Sequence, residues 1–268
     1  ADNGKAFSET QNNVSVAGTQ ARGVAAADDG KSLVFKADVK KANAVTFGSV
    51  AWQKGATLFD GSSTDYSYEN VTAFNTDGFA VSYTDEDALS VGKDDSMTLL
   101  KANETLTAMA NETKKTSCYN NIEVAPGVLM NGSITGQLGR SGNDVVFNVT
   151  ENRASQLTFG NVQWTDTLMT RPSNITFDGA KVVTTDINFY NIQTNEPNKK
   201  MTLVKNFDGT PSSIEGATYK VGSGLVGQGS AEMSGSDLVF RTKTGTLTAT
   251  EATHQSLMAM EAGLVLLA

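Results

Sequence analysis

The chain has little of what most catalytic and metal chemistry needs. One cysteine and one histidine occur in 268 residues, which excludes a disulfide framework, a thiolate zinc site and any multi-histidine metal centre. The four prolines do not cluster, so no proline-rich linker divides the chain. Lysine plus arginine is 21 against 29 for aspartate plus glutamate, a net charge of −8 with no basic cluster, so no nucleic-acid partner is expected. No apolar run reaches the roughly 18 residues that a membrane-spanning helix requires. The opening Ala-Asp-Asn-Gly-Lys-Ala-Phe lacks the charged and apolar regions of a signal peptide and reads as the start of a mature protein or an excised fragment.

Glycine (25 residues) and dense serine, threonine and asparagine fill the gap, and they punctuate an internal repeat. Ser32-Leu-Val-Phe35 returns as Asp144-Val-Val-Phe147 and again as Asp237-Leu-Val-Phe240. Val45-Thr-Phe-Gly-Ser-Val-Ala-Trp52 returns as Leu157-Thr-Phe-Gly-Asn-Val-Gln-Trp164, and Met97-Thr-Leu-Leu-Lys101 as Met201-Thr-Leu-Val-Lys205. Tyr66, Tyr68 and Val71 correspond to Ile175, Phe177 and Ala180. The later matches lie closer together than the earlier ones, so residues are lost between strands and not within them, as expected when strands form the core.

Val45 and Phe47 alternate, and Val50 and Trp52 resume the alternation one residue out of phase, with Gly48 at the change. This reads as strand, corner or bulge, strand. Elsewhere, short runs rich in valine, threonine, isoleucine and phenylalanine are separated by Asp-Gly, Asn-Gly and Ser-Gly pairs. The expected class is all-β. Two architectures fit the period: a right-handed parallel β-helix (a solenoid) with a short C-terminal helix, or tandem β-sandwich domains. The absence of linkers and the dense corner-forming residues favour the β-helix over 1–248, with repeats at about 37–148 and 149–241. Thr248-Ala-Thr-Glu251 is a capping box. The apolar periodicity after it predicts a helical cap or linker over 249–268, and the apolar ending suggests that more chain follows.

The run Gly142-Asn-Asp-Val-Val-Phe147, then Leu157–Trp164, then Met201–Lys205, closed by Ala249-Thr-Glu-Ala-Thr-His-Gln-Ser-Leu-Met-Ala-Met-Glu-Ala-Gly263, resembles bacterial type V autotransporters. The resemblance implies a β-helical passenger ahead of an outer-membrane barrel absent here. It also implies a location at the cell surface or outside the cell, vectorial folding that assists secretion, and a role as an adhesin or structural stalk binding host or bacterial glycans or proteins. The Gly-Asp-Ser-Gly motif of protease passengers is missing, so no catalytic residues are carried over. The alternative is a β-helix polysaccharide lyase or hydrolase.

The candidate chemistry is sparse, and no enzyme activity or cofactor is expected. His254, the only imidazole, sits in a polar stretch of the C-terminal segment and reads as a solvated side chain. Trp52 and Trp164, with Tyr66 and Tyr68, are candidates for stacking on sugar rings if exposed, and for packing if buried. Asp85, Glu86 and Asp87 are a candidate calcium site, and Asp28-Asp29 and Asp94-Asp95 are further acidic pairs that read as turn charge. Cys118 reads as a turn or core residue. Asn-X-Ser/Thr sequons at Asn13, Asn70, Asn103, Asn111, Asn131, Asn148 and Asn174 are expected by chance in such a composition.

Overall fold

The computed structural model describes residues 4–26, 29–69, 71, 73–107, 113–192, 197–222 and 225–243. The helix expected over 249–268, His254, Asp28, Asn70 and Asn111 lie outside them. The described chain is all-β, with 61 % of residues in strands and 3 % helical.

The first part of the chain forms β1 (Lys5–Gln11), β2 (Val14–Ala26), β3 (Leu33–Phe47), β4 (Ser49–Ala51), β5 (Thr57–Gly61), β6 (Tyr66–Ser67), β7 (Ala73–Asn75), β8 (Ala80–Ser82), a one-turn helix α1 (Asp85–Ser90) and β9 (Ser96–Ala102). Three long strands follow: β10 (Lys114–Ala125), β11 (Val128–Ser141) and β12 (Asp144–Phe159). The remainder forms β13 (Asn161–Gln163), β14 (Thr167–Thr170), β15 (Lys181–Val183), β16 (Asn188–Tyr190), β17 (Lys200–Lys205), β18 (Ser213–Glu215), β19 (Thr218–Val221), β20 (Leu225–Ser234) and β21 (Asp237–Thr242). The chain divides into two compact units, 1–117 with 134–152, and 118–133 with 153–268. The first stretch of β12 belongs to unit 1 and its second to unit 2.

In unit 1, β1, β2 and β3 form an antiparallel meander, with β2 paired along β3 from Leu33 to Phe47. Its first turn is Asn12-Asn13, both residues left-handed, which gives the twist a two-residue hairpin requires. Parallel ladders then take over. β3 pairs with β6 and β7, β4 with β8, and β5 with β9. Unit 2 repeats the plan. The end of β12 pairs in parallel with β15, and β15 with β18. β13 pairs with β16, β16 with β19, and β14 with β17, all in parallel. The sheets are therefore mixed: the all-β class expected from the sequence is found, with parallel and antiparallel ladders side by side. Turns of two residues, as at Asn12-Asn13, cannot carry a parallel crossover, so the long strands fold back antiparallel.

The registers show why the repeated words recur. In unit 1 the Asp144–Phe147 stretch pairs antiparallel with β9, Met97 opposite Phe147. In unit 2 the third copy of that word, in β21, pairs antiparallel with β17, Met201 opposite Phe240. Each phenylalanine thus closes the core formed by the strands that precede it in sequence. Phe147 lies 5.6 Å from Phe79 and 6.5 Å from Trp52, while Phe240 lies 4.8 Å from Phe189 and 5.6 Å from Tyr219. Glycine clears the space beside both rings. A Cβ on Gly229 would stand 2.7 Å from Phe240, and one on Gly136 would overlap the ring of Phe147.

Gly48 and Gly160 resolve as corners between strands. The Gly48 amide donates to the Asn13 carbonyl and the Gly160 amide to the Gly127 carbonyl, both at 2.9 Å. The alternation changes phase there, yet Val45, Phe47, Val50 and Trp52 all remain buried.

Truncating either phenylalanine should remove about 3–5 kcal/mol from its own unit. Native-state hydrogen exchange should show Phe147→Ala loosening the amides of 96–102 before those of 200–205, and Phe240→Ala the reverse. Equal loosening of both segments by either variant would contradict the assignment.

Candidate binding surface

The aromatic candidates fall in the core. Trp52 is 4 % exposed, Tyr66 9 % and Tyr68 0 %. The Trp52 ring is flanked by Tyr83 at 5.5 Å and Phe147 at 6.5 Å. Sugar stacking needs an open ring face, so for Trp52, Tyr66 and Tyr68 that reading is set aside. Trp164 is half-buried and meets Phe189 edge-on at 5.0 Å, which makes it a packing residue as well. The exposed aromatic of the described surface is Tyr190, at 41 %. No repeat match marks it, so sequence reasoning missed it.

The acidic candidates disperse. Asp85, Glu86 and Asp87 form the first turn of α1, where carboxylates favour the positive end of the helix. Asp87 has a specific task there. Its Oδ2 accepts the Thr84 amide at 3.0 Å, and the Thr84 hydroxyl accepts the Asp87 amide at 3.1 Å, a reciprocal capping box. That signal is present in the sequence as Thr84-Asp-Glu-Asp87. Among the described residues no three His, Cys, Asp or Glu side chains come together as metal ligands, Asp85–Asp87 included. Asp94 and Asp95 do not form a dyad: Asp94 has a left-handed backbone, while Asp95 pairs with Lys54 at 2.7 Å. Burial pushes the Asp95 carboxyl upward, but Lys54 and the Gly92 amide outweigh it and hold it below its ordinary value. Asp29 caps its own turn by accepting the Lys31 and Ser32 amides, and these bonds lower its titration.

One surface cluster was not visible in the sequence. Lys40 on β3 lies beside Tyr66 on β6 in a parallel ladder. Its ammonium stands 4.8 Å from the Tyr66 ring centroid and 2.6 Å from Glu9, and the Tyr66 hydroxyl donates to the same carboxylate. Tyr66 stacks on Tyr68 at 6.0 Å, and the Tyr68 amide donates to Glu104. The Lys40 bond, with help from Tyr66, holds Glu9 below its usual range, and Glu9 in turn holds Lys40 above its own. Burial, reinforced by Glu9, pushes the Tyr66 hydroxyl up and keeps it a neutral donor. The three groups are mutually satisfied, an arrangement that ties strands and offers neither a free base nor a free nucleophile.

Other polar side chains close irregular backbone. The Asn152 amide donates at 2.8 Å to the Ala88 and Val91 carbonyls at the end of α1. Arg171 donates to the carbonyls of Asn206, Pro172 and Ile175, and Arg140 to that of Leu106. Cys118, expected in a turn or the core, instead stands exposed on β10. No family model, curated protein or solved structure matches the chain.

Two predictions follow from these placements. Glu9 titrates lower in the folded chain than its ordinary 4.5, so its stabilisation is complete above that value and is lost as pH falls through the depressed one. Glu9→Gln should therefore flatten part of the acid limb of a stability–pH curve. Because the pair is partly exposed, the loss at neutral pH should stay at about 1 kcal/mol or less. Cys118 should react with a thiol-specific reagent without denaturant, one equivalent per chain, whereas a core thiol would wait for unfolding.

Proposed function

We propose that the chain is part of a bacterial type V autotransporter passenger. In this reading it is displayed at the cell surface or released from it, and acts in attachment as an adhesin or as the stalk of one. The solenoid reading goes with it: each unit is a stretch of β-helix whose parallel ladders are its rungs and whose antiparallel hairpins interrupt them. Immunoglobulin-like sandwiches are antiparallel throughout, so the ladders joining β12 to β15 and β18, and β13 to β16 and β19, favour the β-helix.

One observation carries most of the functional weight. In the clusters described above, Asp29 and Asp87 cap turns, Asp95 pairs with Lys54, Glu9 pairs with Lys40 and Tyr66, and Asn152, Arg140 and Arg171 close backbone carbonyls. A scaffold built this way suits recognition by broad, polar, acidic surface better than turnover. The polysaccharide lyase or hydrolase reading draws less support, because the acidic pairs are separated into capping and turn roles. Partners of this surface would be glycans or proteins of a host or of neighbouring bacteria.

The test is to present residues 1–268 to arrays of glycans and matrix proteins, and in parallel to display the chain on cells through an outer-membrane barrel. Saturable binding together with removal by external protease is the expected result. Surface display without any binding would leave the stalk and sink the adhesin, and cleavage of an arrayed glycan would overturn both.

A further inference from the structure

The register of the repeats defines a neighbour for an edge of β3 that no strand among the described residues supplies. In the second and third copies the word Asp-Val/Leu-Val-Phe has two strand neighbours. One is its own hairpin partner, as β20 is for β21, with Ala231 opposite Phe240. The other is the Met-Thr-Leu-Leu/Val-Lys strand that precedes it in sequence. The two copies share even the detail of this second pairing. Met97 lies opposite Phe147 and Ser96 opposite Asn148, while Met201 lies opposite Phe240 and Lys200 opposite Arg241. Both ladders slip by one residue before the Met-Thr-Leu word ends. Both are closed by the aspartate that opens the word: Asp144 Oδ1 accepts the Ala102 amide at 3.1 Å, and Asp237 Oδ1 accepts the Asn206 amide at 2.8 Å.

The first copy has only half of this arrangement. Its hairpin partner is in place, with Val24 opposite Phe35 and Ala26 opposite Leu33. On the other edge, β6 and β7 take positions 40–41 and 44–46 of β3. No strand among the described residues pairs with that edge at Leu33–Lys36. An unpaired edge exposes a row of amides and carbonyls ready to template another strand.

We propose that the edge of β3 at Leu33–Lys36 accepts a strand of the Met-Thr-Leu-Leu/Val-Lys kind from a further repeat unit, paired antiparallel with its methionine opposite Phe35. The first copy carries Ser32 where the others carry Asp144 and Asp237. Its hydroxyl oxygen is an acceptor for the amide that closes the ladder, but an uncharged one, so this junction is the weaker of the three. The proposal rests on strand register alone and is independent of the surface-attachment reading.

The test is hydrogen exchange at 33–36 in the full chain and in an extended chain in which residues 40–117 are duplicated ahead of Gly4. This places a second Met-Thr-Leu-Leu-Lys word before β1 as β9 stands before β10. Exchange at 33–36 should slow about tenfold or more in the extended chain. Ser32→Asp should slow it further, and proline in place of the duplicated methionine should restore the original rate. Unchanged exchange at 33–36, with normal protection at 145–148, would overturn the proposal. A second measurement covers an extension that does not fold: a free peptide of the sequence Ser96–Ala102, added to the natural chain in excess. Protection at 33–36 that a scrambled peptide does not give supports the proposal, and equal exchange with both peptides overturns it.

Discussion

The fold depends on one repeated contact, in which a phenylalanine at the end of a repeat fills the core built by the strands before it. Phe147 completes the cluster of Trp52 and Phe79, and Phe240 completes that of Phe189 and Tyr219. The backbone around each ring is simultaneously a strand in an antiparallel ladder, so aromatic burial and hydrogen bonding fix the same register. Slipping that register by one residue would turn the ring out of the core. Glycines beside the rings, at 136 and 229, make room that no other residue could supply without displacing the ring. The contact also explains why the repeated words differ in spacing but not in content: turns between strands tolerate loss, whereas the ring and its ladder do not.

Polar side chains follow from the same geometry. Short parallel strands joined by corners leave many carbonyls outside any ladder, and a buried unpaired carbonyl is costly. Asn152, Arg140 and Arg171 reach those carbonyls from distant parts of the chain. The Glu9–Lys40–Tyr66 cluster does comparable work at the surface, where a charge pair and a ring lock β6 against β3.

Much of this was legible in the sequence, and the limits have physical causes. Period-two alternation and turn pairs identified an all-β chain. Matched words located β3, β12 and β21, and the equivalence of Tyr66, Tyr68 and Val71 with Ile175, Phe177 and Ala180 survives as shared burial. The hairpins were not legible, because alternation shows which face a residue takes and not the direction of its neighbour. The α1 helix was missed because its single turn is too short to show periodicity, although its capping box was written in Thr84 to Asp87. Trp52 could not be sorted between ligand and core by spacing alone, since both roles place an aromatic on an alternating strand. Glu9, Lys40 and Tyr66 lie far apart in the chain, and only the ladder between β3 and β6 brings two of them side by side.

The inward reach of the arginines has an effect beyond the backbone they close. Guanidinium groups on Arg140, Arg153 and Arg171 turn their donors toward carbonyls of their own chain. In a chain of net charge −8, forked donors engaged in this way are withheld from anionic neighbours, while exposed carboxylates such as Asp85 and Glu86 face solvent. Neighbouring copies meet one another as like charges. At low ionic strength mutual repulsion holds them apart, and rising salt screens it.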